Sequence, residues 1–231
     1  MSTRIDWCDE TVNPLGHWCF GPGGTAENPK PCVYCYAKRM AMRGMNGCEK
    51  CKQFNVPHTH FDQLDKLLKW KTPKTIFVQS MGDLFHEEVP DSWIRQVFDA
   101  CEAAPQHRYL FLTKNTKRYT ELLQGYMPRN MWFGWSQDGP MGDAMRFNTH
   151  HSVQTFVSIE PILRPFERFG ITGIDWAIVG AETGNRKGKV IPGKAWVDDI
   201  AAACAENGVP LFMKESLRGL MGEDFVQEFP W

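Results

Sequence analysis

The 231-residue chain has no apolar run long enough to cross a bilayer as a helix. It also lacks the basic start and apolar stretch of a secretory leader. Charge of one sign is missing too: 26 Lys+Arg stand against 27 Asp+Glu, a net −1, so a globally basic nucleic-acid surface is not expected. No G-x-G-x-x-G follows a candidate strand, which leaves a dinucleotide-binding fold without support. Low-complexity segments and a credible domain boundary are absent as well. These absences predict a cytoplasmic protein with no membrane partner and one domain over residues 1–231. In a reducing compartment clustered cysteines are ligands more often than disulfides, so the eight cysteines need individual assignment.

Three of them lie in the stretch around which the chain is organised, CFGPGGTAENPKPCVYCY. Cys19 is separated by a Gly/Pro-rich loop from the pair Cys32 and Cys35, and Tyr34 stands between that pair. A helix-prone run, AKRMAMR, follows. A second cysteine-bearing loop, GMNGCEKCKQFNVPHTHF, forms an insertion around residues 44–61. Ile5 and Trp7 alternate with polar residues as in a short strand.

Beyond residue 70 the chain alternates between strand-like and helical runs. TIFVQS (75–80), RYLFLTK (108–114), MWFGWS (131–136), TFVSIE (155–160), WAIVGAE (176–182) and PLFMKE (210–215) read as strands, with an earlier one near 9–13. Helices are expected over 92–104, 116–124 and 195–207. Several strands are continuous apolar runs, the mark of parallel strands covered on both faces. The expected fold is therefore α/β, a partial or open TIM-like (β/α) barrel with about six to seven parallel strands.

In such folds function gathers at the carboxyl ends of the strands. Here those ends are polar in succession: Ser80-Met81-Gly82-Asp83, Thr113-Lys114-Asn115, Ser136-Gln137-Asp138, Ser158-Ile159-Glu160, Gly180-Ala181-Glu182 and Lys214-Glu215-Ser216. Six polar ends predict a ligand-lined mouth, with the cysteine loop at the same rim. A salt bridge at a strand end is the plain alternative for each.

Spacing leaves several metal assignments open. Cys32/Cys35 with Cys48/Cys51 make two C-x-x-C pairs and could form a four-thiolate zinc site. Cys48, Cys51, His58 and His60 read C-x-x-C-x6-H-x-H and could form a structural zinc site of the insertion. Cys19, Cys32 and Cys35 together could hold an iron–sulfur cluster with one iron open to a ligand, the Gly-rich loop letting the backbone wrap closely around it. Cys101 and Cys204 lie in apolar helical stretches and read as core thiols.

Cys19…Cys32-Val33-Tyr34-Cys35 resembles the C-x3-C-x-aromatic-C signature of the radical S-adenosylmethionine superfamily, with twelve residues instead of three in the first gap. The segments WCDETVNP, CVYCYAKRMA, IFVQSMGDLFHEEVPDSWI, FLTKN, VSIEPIL, IDWAIVGAETG and GVPLFMKE resemble a phage-associated family with radical-SAM-like features, and there is a faint likeness to the enzyme that repairs spore photoproducts in DNA. The resemblance implies a [4Fe–4S] cluster on Cys19, Cys32 and Cys35, and S-adenosylmethionine bound with help from Tyr34, Ser80, Gly82, Asp83 and Ser136. It further implies an electron from a one-electron reductase such as flavodoxin or ferredoxin, reductive cleavage to a 5′-deoxyadenosyl radical, and hydrogen abstraction from substrate. Glu160, Glu182, Lys114 and Lys214 are the candidate catalytic or substrate-holding groups.

A nucleobase, in DNA or RNA, is the expected substrate. Basic residues interleave with aromatics around Trp70 (Lys69, Lys71, Lys74) and Tyr119 (Lys114, Lys117, Arg118), and Arg186, Lys187 and Lys189 share a loop. The competing readings are a zinc-stabilised nucleic-acid-binding protein and a barrel whose cluster is only structural.

Overall fold

Strands form where β-branched and aromatic residues cluster: β1 (Glu10–Val12), β2 (Thr75–Val78), β3 (Arg108–Thr113), β4 (Met131–Ser136), β5 (Gln154–Ile159), β6 (Trp176–Val179) and β7 (Leu211–Met213). The computed structural model describes residues 5–44, 47–123, 128–138, 153–165 and 173–231. Met45 and Asn46 of the expected insertion, and Gln124 at the end of the expected helix 116–124, lie outside them.

The strands are hydrogen-bonded in chain order, β1 through β7. Pairing is parallel, with Glu10 opposite Ile76, Thr75 opposite Arg108, Phe156 opposite Trp176 and Ala177 opposite Leu211. Sequential parallel order is that of an open (β/α) barrel, whereas a doubly wound sheet reverses its order at a switch point. The chain thus has the α/β, partial TIM-like barrel architecture its periodicity predicts. Every residue of β2 and of β6 is buried, as expected of WAIV in β6 and of a β2 that is apolar after Thr75. Ile5 to Trp7 form a turn rather than a strand, and Trp7 instead buries its ring 4.6 Å from that of Phe77. Among the described residues no helix is long and apolar enough to cross a membrane.

Helices lie in the β1–β2, β2–β3, β3–β4 and β6–β7 connections. The β1–β2 connection carries α1 (Tyr36–Met42), α2 (Glu49–Gln53) and α3 (Asp65–Lys69), the last preceded by a 3-10 turn over Phe61–Leu64. Later come α4 (Asp91–Glu102), α5 (Lys117–Leu122), α6 (Lys194–Asn207) and α7 (Arg218–Met221). On α4 the buried residues Ile94, Val97, Phe98 and Cys101 recur at helical spacing, so one face meets the core. Helix α6 stops at Gly208, which adopts φ +66; Val209 N–H then donates to Cys204 O at 2.9 Å, satisfying a carbonyl the helix leaves unpaired.

The chain divides into two compact units, residues 1–133 with 147–153, and residues 134–146 with 154–231. In the first, an aromatic cluster of Phe85, Phe98, Phe111, Tyr119 and Phe133 occupies the core, with Phe111 and Phe133 stacked at 5.5 Å. In the second, Val157, Ile159, Val179 and Met213 pack against Val197, Ile200 and Cys204 of α6. Phe98 touches three of its cluster partners with ring centroids 5.4 to 6.1 Å away. Phe98→Ala is expected to cost about 3–5 kcal/mol of unfolding free energy, measured by urea denaturation, because the vacated volume is walled by rigid rings that cannot collapse into it.

Candidate metal centres

The thiol loop owes its shape to one closure. Lys30 N–H donates to Phe20 O at 2.6 Å, so residues 21–29 form a loop that returns to its own start. Inside it, Gly24 N–H donates to Gly21 O at 3.0 Å and Thr25 N–H to Asn28 O at 3.2 Å. Gly21 has φ +78, and a β-carbon there would collide with the Lys30 carbonyl, so only glycine fits the neck. His86, 4 % exposed, clamps that neck: its Nδ1 accepts from Glu88 N–H at 3.2 Å, leaving Nε2–H to donate to Gly21 O at 3.3 Å. Twelve residues separate Cys19 from Cys32, and nine of them lie inside the closed loop. What remains along the shortened path is Phe20, Lys30 and Pro31, a C-x3-C spacing followed by C-x-x-C.

Cys19 lies within electrostatic reach of both Cys32 and Cys35. Cys19 and Cys35 pack against the small core of Ala37, Ala41, Phe54 and Met81. Burial pushes the Cys19 thiol up to about 12, and the Asp83 carboxylate and the Cys35 and Cys32 thiols add to the rise. Burial also raises Cys35. Backbone N–H groups already point at two of the sulfurs: Gly21 N to Cys19 Sγ at 3.3 Å, and Lys38 N to Cys35 Sγ at 3.3 Å. The second bond makes Cys35 the N-cap of α1. Thiols that are costly to ionise alone and are met by N–H donors suit a cationic iron–sulfur core, which would stabilise the thiolates. By that test Cys19 and Cys35 fit such a group.

The carboxyl ends of β2 and β3 frame the same loop. Tyr36 Oη donates to Ser80 O at 2.6 Å, tying the start of α1 to the end of β2. Asn13 Oδ1 accepts from Met81 N–H at 2.8 Å and from the Ser80 hydroxyl at 3.3 Å. Gly82 lies against Trp18 O, where a β-carbon would clash. Asp83 receives the Thr113 hydroxyl on both oxygens (2.7 and 2.9 Å), Lys114 N–H at 3.1 Å and Phe85 N–H at 3.0 Å. Its carboxylate therefore shapes the β3 end. Lys114 Nζ stands 5.6 Å from the centre of the Tyr34 ring.

The second cysteine loop assembles a separate group. Cys48, Cys51, His58 and His60 bring one ligand atom each to within 4.8 Å of one another. Cys32 and Cys35 do not belong to that group, so the four-thiolate arrangement is not the one the fold builds.

In the second unit, Lys214 is ion-paired with Glu160, and Gly180 leaves room for both side chains. Glu182, 4 % exposed, takes Arg186 in a two-pronged bond at 2.6 and 2.7 Å. For these three predicted residues the strand-end salt bridge is what the fold contains. Ser136 closes β4, half-buried. The basic clusters are also engaged internally: Lys74 pairs with Glu10 and lies over Trp70, and Arg118 bonds Val89 O and Asp91.

Reading the sequence missed Asn13, Tyr36, Gln79 and His86, which position the thiol loop. Buried Gln79, at φ +66, accepts from Leu15 N–H and donates to Gly16 O. The signal was present as a polar residue directly after an apolar strand, but its partners lie more than sixty residues away.

No curated protein and no solved structure matches the chain. One family model does, over residues 2–221, and its span takes in both cysteine loops and strands β1 to β7. The chain belongs to that family, described as "Protein of unknown function (DUF5131)".

Proposed function

We propose that the chain is an iron–sulfur enzyme of the radical S-adenosylmethionine type, with Cys19, Cys32 and Cys35 as the cluster ligands. The observation that carries this reading is the closed loop: with residues 21–29 looped out at the Phe20–Lys30 bond, the path through the thiols has the C-x3-C-x-x-C spacing of that superfamily. When bound, a [4Fe–4S] cluster and S-adenosylmethionine supply one-electron reductive cleavage of the sulfonium. The chain's own residues do the positioning. His86 holds the neck of the loop, Cys35 caps α1, and Tyr36 ties that helix to the end of β2. Asp83 is a positioning residue that orders Thr113 and Lys114 beside Tyr34.

The test is anaerobic reconstitution with iron and sulfide, reduction with dithionite, addition of S-adenosylmethionine, and detection of 5′-deoxyadenosine by mass spectrometry. A brown protein that yields 5′-deoxyadenosine is expected; a colourless, iron-free one refutes the reading. A second reading, a barrel whose cluster is structural, is favoured by the full hydrogen bonding of the Asp83 carboxylate. Iron without 5′-deoxyadenosine would identify it. Nucleic acid is proposed as the substrate on sequence resemblance, and the assay is run with and without DNA and RNA oligonucleotides. Stimulation of cleavage or transfer of label to one of them is the expected result.

A further inference from the structure

Outside the three-thiol loop, four donors from a short helix and the irregular segment after it meet at one point. Cys48 and Cys51 sit one helical turn apart at the start of α2, which puts both sulfurs on one side. His58 and His60 follow in the irregular stretch between α2 and the 3-10 turn at Phe61–Leu64. The separations are 3.8 Å between the sulfurs, 3.6 and 3.1 Å from His58 Nε2 to Cys48 and Cys51, and 3.5 Å from His60 Nε2 to Cys51. Zinc bonds of about 2.3 Å to sulfur and about 2.0–2.1 Å to nitrogen, at tetrahedral angles, place thiolates about 3.8 Å apart and thiolate–imidazole pairs about 3.5 Å apart. The observed edges approximate that tetrahedron.

The surroundings are those of a metal site. His58 Nδ1–H donates to Val56 O at 2.7 Å, which fixes the tautomer and leaves Nε2, the atom facing both sulfurs, with its lone pair free for a ligand bond. Backbone His17 N–H donates to Cys51 Sγ at 3.4 Å. Gly16, at φ +68, is the neighbour of His58 Nε2, and any β-carbon there would occupy the ligand atom's space. A separate observation is an unpartnered polar atom beside the group. His17 is 4 % exposed, and its Nδ1 is buried without a hydrogen-bond partner. That nitrogen borders Gly47, the same glycine that abuts Cys51 Sγ.

We infer that Cys48, Cys51, His58 and His60 bind a single Zn²⁺ in a closed, four-ligand site whose role is structural, with His17 as a supporting residue behind Cys51. Four protein ligands leave no open position for substrate, which separates it from a catalytic zinc. The ion fastens the insertion to the chain leading into the thiol loop. Trp18 Nε1–H donates to His58 O at 3.2 Å, His60 N–H to Pro14 O at 2.7 Å, and Cys19 N–H to Phe54 O at 3.1 Å. Zinc on the insertion therefore holds the backbone of Cys19 in place. The assignment of zinc is independent of the iron–sulfur reading.

The test uses the full chain expressed with ZnCl₂ and measures metal per chain by mass spectrometry. About one zinc is expected in the parent and in the triple variant Cys19→Ala/Cys32→Ala/Cys35→Ala. Zinc should be lost from Cys48→Ser, chosen because Cys48 is at the surface and its replacement spares the core, and from His60→Asn. Co²⁺ in place of zinc should give the intense visible bands of a tetrahedral thiolate complex in the parent and not in Cys48→Ser. Stripping the zinc with a chelator should speed hydrogen exchange at the amides of His17 and Cys19. Zinc retained in both single variants, zinc lost from the triple variant, or a weak octahedral cobalt spectrum would each overturn the assignment. A positive zinc result alongside a negative 5′-deoxyadenosine assay leaves this inference standing and removes only the enzymatic one.

Discussion

Cys19→Ala is expected to abolish cluster assembly and 5′-deoxyadenosine formation while leaving zinc content unchanged. Loss of a group that merely supports a metal ligand commonly costs 10–100-fold, so loss of a ligand should exceed about 100-fold in iron occupancy or activity. The physical basis is the state of this thiol. Burial, with the nearby Asp83 carboxylate, pushes it up to about 12, so at neutral pH it is protonated unless a cation compensates. Binding a cluster supplies that charge and releases the proton, and Gly21 N–H stabilises the resulting thiolate. Cys19→Ser keeps the size but offers a poorer iron ligand, and should fail with the alanine variant. Iron content and product are read from anaerobically reconstituted protein. Full iron loading and turnover in Cys19→Ala would falsify the assignment of the triad.

The second large effect concerns the loop that separates Cys19 from its partners. Excising Gly21–Pro29, so that Phe20 runs into Lys30, is expected to retain cluster binding, whereas Gly21→Val in the full-length chain is expected to lose most of it. The two ends of the excised segment are already joined by a 2.6 Å hydrogen bond, so bringing them into covalent contact requires little movement. Excision removes the bond from His86 to Gly21 O and that from Ala26 N–H to Glu88, each worth about 1 kcal/mol, and shortens the loop. Gly21→Val instead keeps all the residues and breaks the neck. A branched side chain at φ +78 is strained by roughly 1–3 kcal/mol, and its β-carbon would displace the Lys30 carbonyl. The neck would open and Cys19 would part from Cys32. Iron per chain and visible absorbance distinguish the variants. Iron lost on excision but kept in Gly21→Val would show that loop contents, not closure, set the site.

Much of the barrel was legible because its signals are local. WAIV is apolar at every position and TIFV at all but its first, Thr75, and burial on both faces needs little beyond such a run. The turn-spaced apolar residues of α4 likewise declare their inner face. The expected strands 75–80, 176–182 and 210–215 nevertheless end two or three residues early, at Val78, Val179 and Met213. At the first of these, Gln79 turns into the left-handed region to bond the Leu15–Gly16 loop, a contact no local pattern announces. The polar strand ends show the same limit. Their polarity was readable, but that Glu160 meets Lys214, Glu182 meets Arg186 and Asp83 meets Thr113 depends on where each loop returns.

The two cysteine loops divide along the same line. By itself the sequence determined an α/β parallel sheet and marked two groups of candidate metal-binding side chains, because residue type and spacing carry that information directly. Which thiols belong together was decided only by the tertiary structure. Cys32/Cys35 and Cys48/Cys51 are equally good halves of a zinc site on paper. They part because the chain after α2 delivers His58 and His60 to the second pair, while the Phe20–Lys30 bond folds away nine residues and returns Cys19 to the first. The physical reason is that a ligand set is defined by distances in space, and a closed loop makes a sequence separation of twelve act as one of three.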